Sequence, residues 1–120
     1  MPPKLKKGFE SEMRMAKALY YKGEWAGAFH HLERAHILGQ RYVIPHVTAH
    51  WWMLKVGLRR RDAEEVRGQI MRLPLGAIGS ALGHVPTGNT GGANVNMFAR
   101  MPIEKRLQEL LEDSPTEKLK

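Results

Sequence analysis

Apolar residues recur at helical spacing along almost the whole chain, and no stretch alternates with period two for long. That pattern excludes sheet-based folds and leaves helices packed on helices. Phe9, Met13, Ala16 and Tyr20 lie at i, i+4, i+7 and i+11, which predicts a first helix over 8–22, ended by Gly23. In "EWAGAFHHLERAHILG", Ala28, Phe29, Leu32, Ala35 and Leu38 share one face of a second helix that stops at Gly39. Pro45 suits the first residue of a third helix running to about residue 60. Its apolar residues fall on two sides: Val47, Trp51, Leu54 and Leu58 on one, Ala49, Trp52 and Val56 on the other. A helix greasy on two sides is expected to be central, with Trp51 or Trp52 largely buried.

Asp62, followed three residues later by Glu65, resembles a capping box opening a fourth helix, with Ala63, Val66, Ile70 and Leu73 turned inward. "PLGAIGSALG" is rich in small residues and predicts one or two tight helical turns packed closely on their neighbours. Beyond a long loop, "MPIEKRLQELLED" is an amphipathic helix begun by Pro102, with Ile103, Leu107, Leu110 and Leu111 as its stripe. The expected fold is all-α: two stacked αα-hairpins, a short Gly-rich helical segment, a long Gly/Asn loop and a C-terminal amphipathic helix. One domain over 8–113 is expected, between a basic tail at 1–7 and a second tail at 114–120.

At 120 residues, 42% hydrophobic and 26% charged, the chain can bury a modest single core. It has no cysteine, which excludes disulfides, thiolate metal sites and cysteine nucleophiles and fits a reducing compartment. No secretory signal or membrane-length apolar run is present, so a cytoplasmic location is expected. The net charge of +7 is spread over Lys4, Lys6, Lys7, Lys55, Arg59, Arg60, Arg61, Lys118 and Lys120, among others. Only the arginine run is dense, and it reads first as the charged end of a helix.

The segment from Tyr20 to Leu38 resembles one tetratricopeptide repeat, with Gly23, Trp25, Ala28, Leu32 and Ala35 at the pattern's positions. A weaker copy spans Pro45 to Leu73. Its Val66 follows Ala28 by 38 residues, against a repeat period of about 34, and Gln40 stands where proline is expected. The resemblance therefore implies hairpins stacked in that manner, not a repeat array. Taken whole, "HHLERAHILGQRY", "RLPLGAIGSALGHVPTGNTGGANV" and "MPI" resemble an uncharacterised family of small bacterial proteins of unknown function, over roughly residues 10 to 112. This second resemblance implies no activity.

Four candidate chemistries remain. The loop "GHVPTGNTGGANVNMF" lacks the Gly-Lys-Ser/Thr of a phosphate loop and the strand-borne GxGxxG of a dinucleotide site. It reads first as a structural clasp lying ordered across the helices. Its Thr87, Gly88, Asn89, Thr90, Gly91, Gly92 and Asn94, with Arg59, Arg60 and Arg61, are the candidates for contact with an anion or partner. His46 and His50 stand one helical turn apart, a spacing that lets two imidazoles share a metal. His36 on the preceding helix could approach them, with Glu33 as an oxygen ligand. Trp51, Trp52 and the arginine run could serve nucleic acid, but the tryptophans are assigned to the core. No acid–base pair, Ser–His arrangement or cofactor fingerprint stands out, so no catalytic residue, no cofactor and no enzymatic activity are expected. A non-catalytic module binding a protein or peptide, acidic for preference, ranks first. Histidine-based transition-metal binding is the alternative, and nucleic-acid binding stands below both.

Overall fold

The computed structural model describes residues 1–112. It is all-helical among those residues: α1 (Pro3–Tyr21), α2 (Trp25–Gly39), α3 (Val43–Arg60), α4 (Ala63–Leu82) and α5 (Lys105–Glu112). Helices α1 and α2 pair, α3 and α4 pair, and the two pairs stack through α2 and α3. The short α5 returns across α1 and α2.

The first hairpin forms where its periodicity places it. Phe9, Met13, Ala16 and Tyr20 are buried along α1, and Ala28, Leu32, Ala35 and Leu38 along α2. Gly23 takes φ +77° just past the end of α1, a conformation a side chain resists. Burial of these side chains, at about 1.5–3 kcal/mol for each large one, supplies the main driving force for the pair. The start of α1 differs from expectation: residues 3–7 are helical and Leu5 is buried in the core. Pro3 at the first helical position nucleates that turn, since its missing N–H has no partner to lose.

The second hairpin departs further. Asp62 caps α4 by accepting from the Glu65 amide at 3.1 Å, but the Glu65 side chain does not return to close a capping box. The small-residue segment is helical, as expected, and simply continues α4 through Pro74. Ile70 lies 56% exposed and Ala63 is exposed, whereas Glu65, Gln69 and Ser80 face inward. On α3, Trp51 is 52% exposed and Trp52 half-buried, so neither indole is the expected core residue. The buried face of α3 is His46, Ala49, His50, Met53, Leu54, Val56 and Gly57. The inner faces of α3 and α4 are thus polar where they meet, and that is where the site lies.

Helix α5 starts at Lys105, three residues after Pro102, and buries Leu107 and Leu111. Arg34 on α2 pairs with both Glu12 of α1 and Glu104 just before α5, fixing the approach. The expected tail at 114–120 lies outside the described residues. No helix of the described residues is long and apolar enough to cross a membrane.

Candidate metal centre

The site is built on the polar face of α3. His46 and His50 sit one turn apart and both point into the bundle. His36, in the last turn of α2, meets them from the other side of the short connection, as the sequence suggests. Their Nε2 atoms converge: His36 to His46 at 3.0 Å, His36 to His50 at 3.1 Å, and His46 to His50 at 3.0 Å. All three rings are buried, none more than 5% exposed. Glu33 does not join the cluster. It is half-buried, and burial, then the Glu65 charge, raises its pKa.

Each ring is held at its other nitrogen by an oxygen. His36 Nδ1 lies 2.7 Å from the Asn89 carbonyl, which can only accept. His46 Nδ1 lies 2.6 Å from Ser80 Oγ, whose proton is donated to the Gln40 carbonyl at 2.6 Å. His50 Nδ1 lies 2.6 Å from Gln69 Oε1. The orientation of that amide is set by its nitrogen, which donates to Glu65 Oε2 at 2.6 Å and to the Gly91 carbonyl at 2.9 Å. All three acceptors therefore demand the proton on Nδ1. The three Nε2 lone pairs are left facing one another, with no donor from the described residues between them. An unpaired buried acceptor costs about 1–3 kcal/mol.

Electrostatics agree on the neutral state of the rings. Burial, reinforced by its two histidine neighbours, drives the His36 pKa well below the ordinary value, against the pull of the Asn89 carbonyl. Burial lowers His46 to about 4, with the Gly76 backbone opposing. His50 falls to about 3 through burial and the neighbouring His46, with Gln69 opposing and Arg72 adding to the effect.

The glycine loop closes the centre. Gly88, Asn89, Gly91 and Gly92 are buried. Asn89 is the hub: its side-chain nitrogen donates to the Asn96 and Ala99 carbonyls at 2.8 Å, its Oδ1 accepts from the Gly91 amide, and its carbonyl holds His36. The Gln40 amide lies between the Pro86 carbonyl and the Gly88 N–H, and the orientation that satisfies both has its nitrogen donating to the first and its oxygen accepting from the second. The Ala93 amide donates to the Glu65 carboxylate at 3.0 Å. The loop thus lies across the helices as a clasp, and the Gly91, Ala93 and Asn89 amides are engaged within the protein. Gly91 has φ +86°, and a Cβ on it would come 2.5 Å from the His36 ring. Gly76 on α4 plays the same part opposite, where a Cβ would meet His46 at 3.0 Å. Thr87, Thr90 and Asn94 lie on the partly covered or exposed stretches of the loop.

The other sequence candidates lie elsewhere. Arg59, Arg60 and Arg61 are exposed at the far end of α3, ~14 Å along the helix from His50 to the first of them. Arg59 donates to the Tyr20 hydroxyl at 3.1 Å. The Trp52 ring is covered by Tyr20 edge-on and by Lys55 at 3.8 Å, leaving Trp51 as the free indole. Sequence reasoning missed Gln69, Ser80, Gln40 and Glu65. For the α4 residues the available signal was their register, since Glu65, Gln69, Gly76 and Ser80 recur at i, i+4, i+11 and i+15 on one face of the helix.

A pocket of about 80 Å³ borders the triad, lined also by Arg72, Leu75, His84, Val85, Pro86, Met97 and Phe98. Neither a curated protein nor a solved structure matches this chain. A family model described as "Protein of unknown function (DUF3703)" matches residues 3–111, nearly all of the described chain and every residue of the histidine centre, and the chain belongs to that family.

Proposed function

We propose that this protein binds one transition-metal ion through His36, His46 and His50. One observation carries the reading: three buried Nε2 lone pairs converge within 3.1 Å while every Nδ1 is committed to an acceptor. The fit is good. An ion at the ordinary zinc–imidazole distance of ~2.0–2.1 Å from each nitrogen would sit about 1 Å out of their plane, a three-coordinate cap with one side open. Carbonyl, hydroxyl and amide oxygens on the far nitrogens are the outer partners that fix ring orientation and ligand basicity in metal sites. Three imidazoles suit zinc, copper, nickel or cobalt, and affinity should follow the usual order with Cu²⁺ highest. The role proposed is binding, with no reaction assigned.

The test is titration of the purified chain with Zn²⁺, Cu²⁺, Ni²⁺ and Co²⁺, alongside His46→Ala/His50→Ala and His36→Ala. One equivalent should bind the wild type, with Nε2 resonances of all three rings shifting together in NMR. Equal affinity in the variants, or no stoichiometric binding, sinks the reading.

A second reading, the protein-interaction module, draws support from the outer surface. Ile44, Trp51 and Leu58 are exposed at seven-residue spacing on α3, as are Met71, Leu75, Ile78 and Leu82 at helical spacing on α4. Apolar stripes of this kind mark contact surfaces more often than solvated faces. Self-association in sedimentation that Trp51→Glu and Ile78→Glu abolish would support it; a monomer at every concentration would remove a second copy as the partner.

A further inference from the structure

The centre as built is incomplete on one side. Three imidazoles are neutral, so a divalent ion among them keeps its whole charge, and the metal-ligating groups of the described residues that gather there are these three alone. Structural zinc sites close the fourth position with a protein side chain, whereas sites that take a ligand leave it open. Here the triad borders a pocket of about 80 Å³. A single water needs ~10–15 Å³, so the space exceeds one water several-fold.

A second charge faces the same space. Arg72 lies on the inner side of α4, between Gln69 and Gly76, and lines the pocket. Its Nη2 donates to the Val95 carbonyl at 2.7 Å. Its Nε is buried with no hydrogen-bond partner among the described residues, and the ion pairs found there do not include it. Burial disfavours its charge and only the Glu65 carboxylate, which forms no ion pair with it, offsets that, so a guanidinium beside a cation centre is a cost to the fold that a bound anion would relieve. The rest of the wall is mixed, with an apolar side of Leu75, Val85, Pro86, Met97 and Phe98 beside the polar Gln40, His84 and Asn89.

We infer that the pocket binds a small aliphatic carboxylate, its oxygen filling the open coordination position, its charge paired with Arg72 and its hydrocarbon end against the apolar wall. This rests on the metal reading above. The carboxylate supplies the negative charge that the ligand set lacks. Its tail is matched to the apolar side of the wall, which an inorganic oxyanion would leave unfilled.

The experiment uses the full chain loaded with Co²⁺, whose visible d–d bands report the fourth ligand. Acetate, butyrate and inorganic phosphate are titrated at fixed ionic strength into wild type, Arg72→Met and Arg72→Lys. Acetate and butyrate should shift the bands saturably, butyrate binding several-fold more tightly because two more methylenes are buried. Arg72→Met should still take one Co²⁺ but weaken carboxylate binding by about tenfold, the usual worth of a charge-assisted contact, with Arg72→Lys between. Bands indifferent to carboxylates, unchanged affinity in Arg72→Met, or phosphate binding as tightly as butyrate would overturn the inference while leaving the metal site standing. A chain that takes up no Co²⁺ overturns the metal reading itself, and this inference with it.

Discussion

Gln69 shows how much one side chain does at this centre. Its oxygen accepts from His50 Nδ1–H, while its nitrogen donates to the Glu65 carboxylate and the Gly91 carbonyl, so a single amide sets a tautomer and ties α4 to the loop. Ser80 does the same for His46 with one hydroxyl. Removing either partner frees a ring to rotate or to move its proton. Gln69→Ala and Ser80→Ala should each weaken Zn²⁺ binding by ~10–100-fold, measured by competition with a chromogenic chelator; wild-type affinity in both would show that the outer oxygens are idle. Gly91 is the complementary case, where a missing side chain matters. Gly91→Ala must hold φ near +86° and place a methyl into the His36 ring. The left-handed backbone alone costs about 1–2 kcal/mol, and the clash adds to it. Urea denaturation of the metal-free protein should show a loss of at least that size.

Helix α4 turns a polar face inward, and this decides how the loop is held. Glu65 is 9% exposed, too buried for a surface acid, and its carboxylate accepts from Gln69 and from the Ala93 amide. The first bond stays within α4 and the second crosses to the loop, so Glu65 anchors the second half of the loop as Gln40 anchors the first. Glu65→Ala should free that half: hydrogen exchange at the Ala93 amide should accelerate by orders of magnitude while α1 and α2 stay protected. The stability lost, about 1–3 kcal/mol, is that of leaving Gln69 and Ala93 with unpaired donors. Uniform acceleration through all helices would mean that the loop and bundle open together and that Glu65 is no local anchor.

For the molecule as a whole, the buried histidines make stability depend on pH. In the unfolded chain each titrates near ~6.5; in the fold His46 falls to about 4 and His50 to about 3, with His36 also far below its ordinary value. Above the unfolded value both states are neutral and nothing changes. As pH falls below it, the unfolded chain binds protons that the folded rings refuse, and stability is lost down to the folded values. His46 alone is worth of order 3 kcal/mol over that window, a large share of the margin of a domain this size. The metal-free protein should therefore melt highest at pH 7 or above and lose its cooperative transition by about pH 5 in thermal scans. A saturating metal should raise the melting temperature at pH 7 by several degrees and lose that effect on acidification, because protons compete for the same nitrogens. A melting temperature flat from pH 7 to 5 would contradict the buried, neutral triad.

What the chain determines locally is legible without coordinates. The all-helical class, the core faces of α1 and α2, the turn at Gly23, the Asp62 cap and the His46/His50 pair all follow from contacts within four residues, where spacing and propensity act. His36 could be proposed as a neighbour because only a short connection separates α2 from α3. The remainder depends on which surfaces meet. Periodicity scores a buried face by its hydrocarbon, so it turned Trp51, Leu58 and Ile70 inward; the true seam carries His46, His50, Gln69 and Ser80. Those polar groups can be buried because each finds its partner on another element, up to 53 residues away for His36 and Asn89. A hydrogen bond across that separation leaves no trace in local patterning. Only the stacking of the two hairpins, with the loop drawn over them, decides that the interior here is a ring of imidazoles and that the indole faces out.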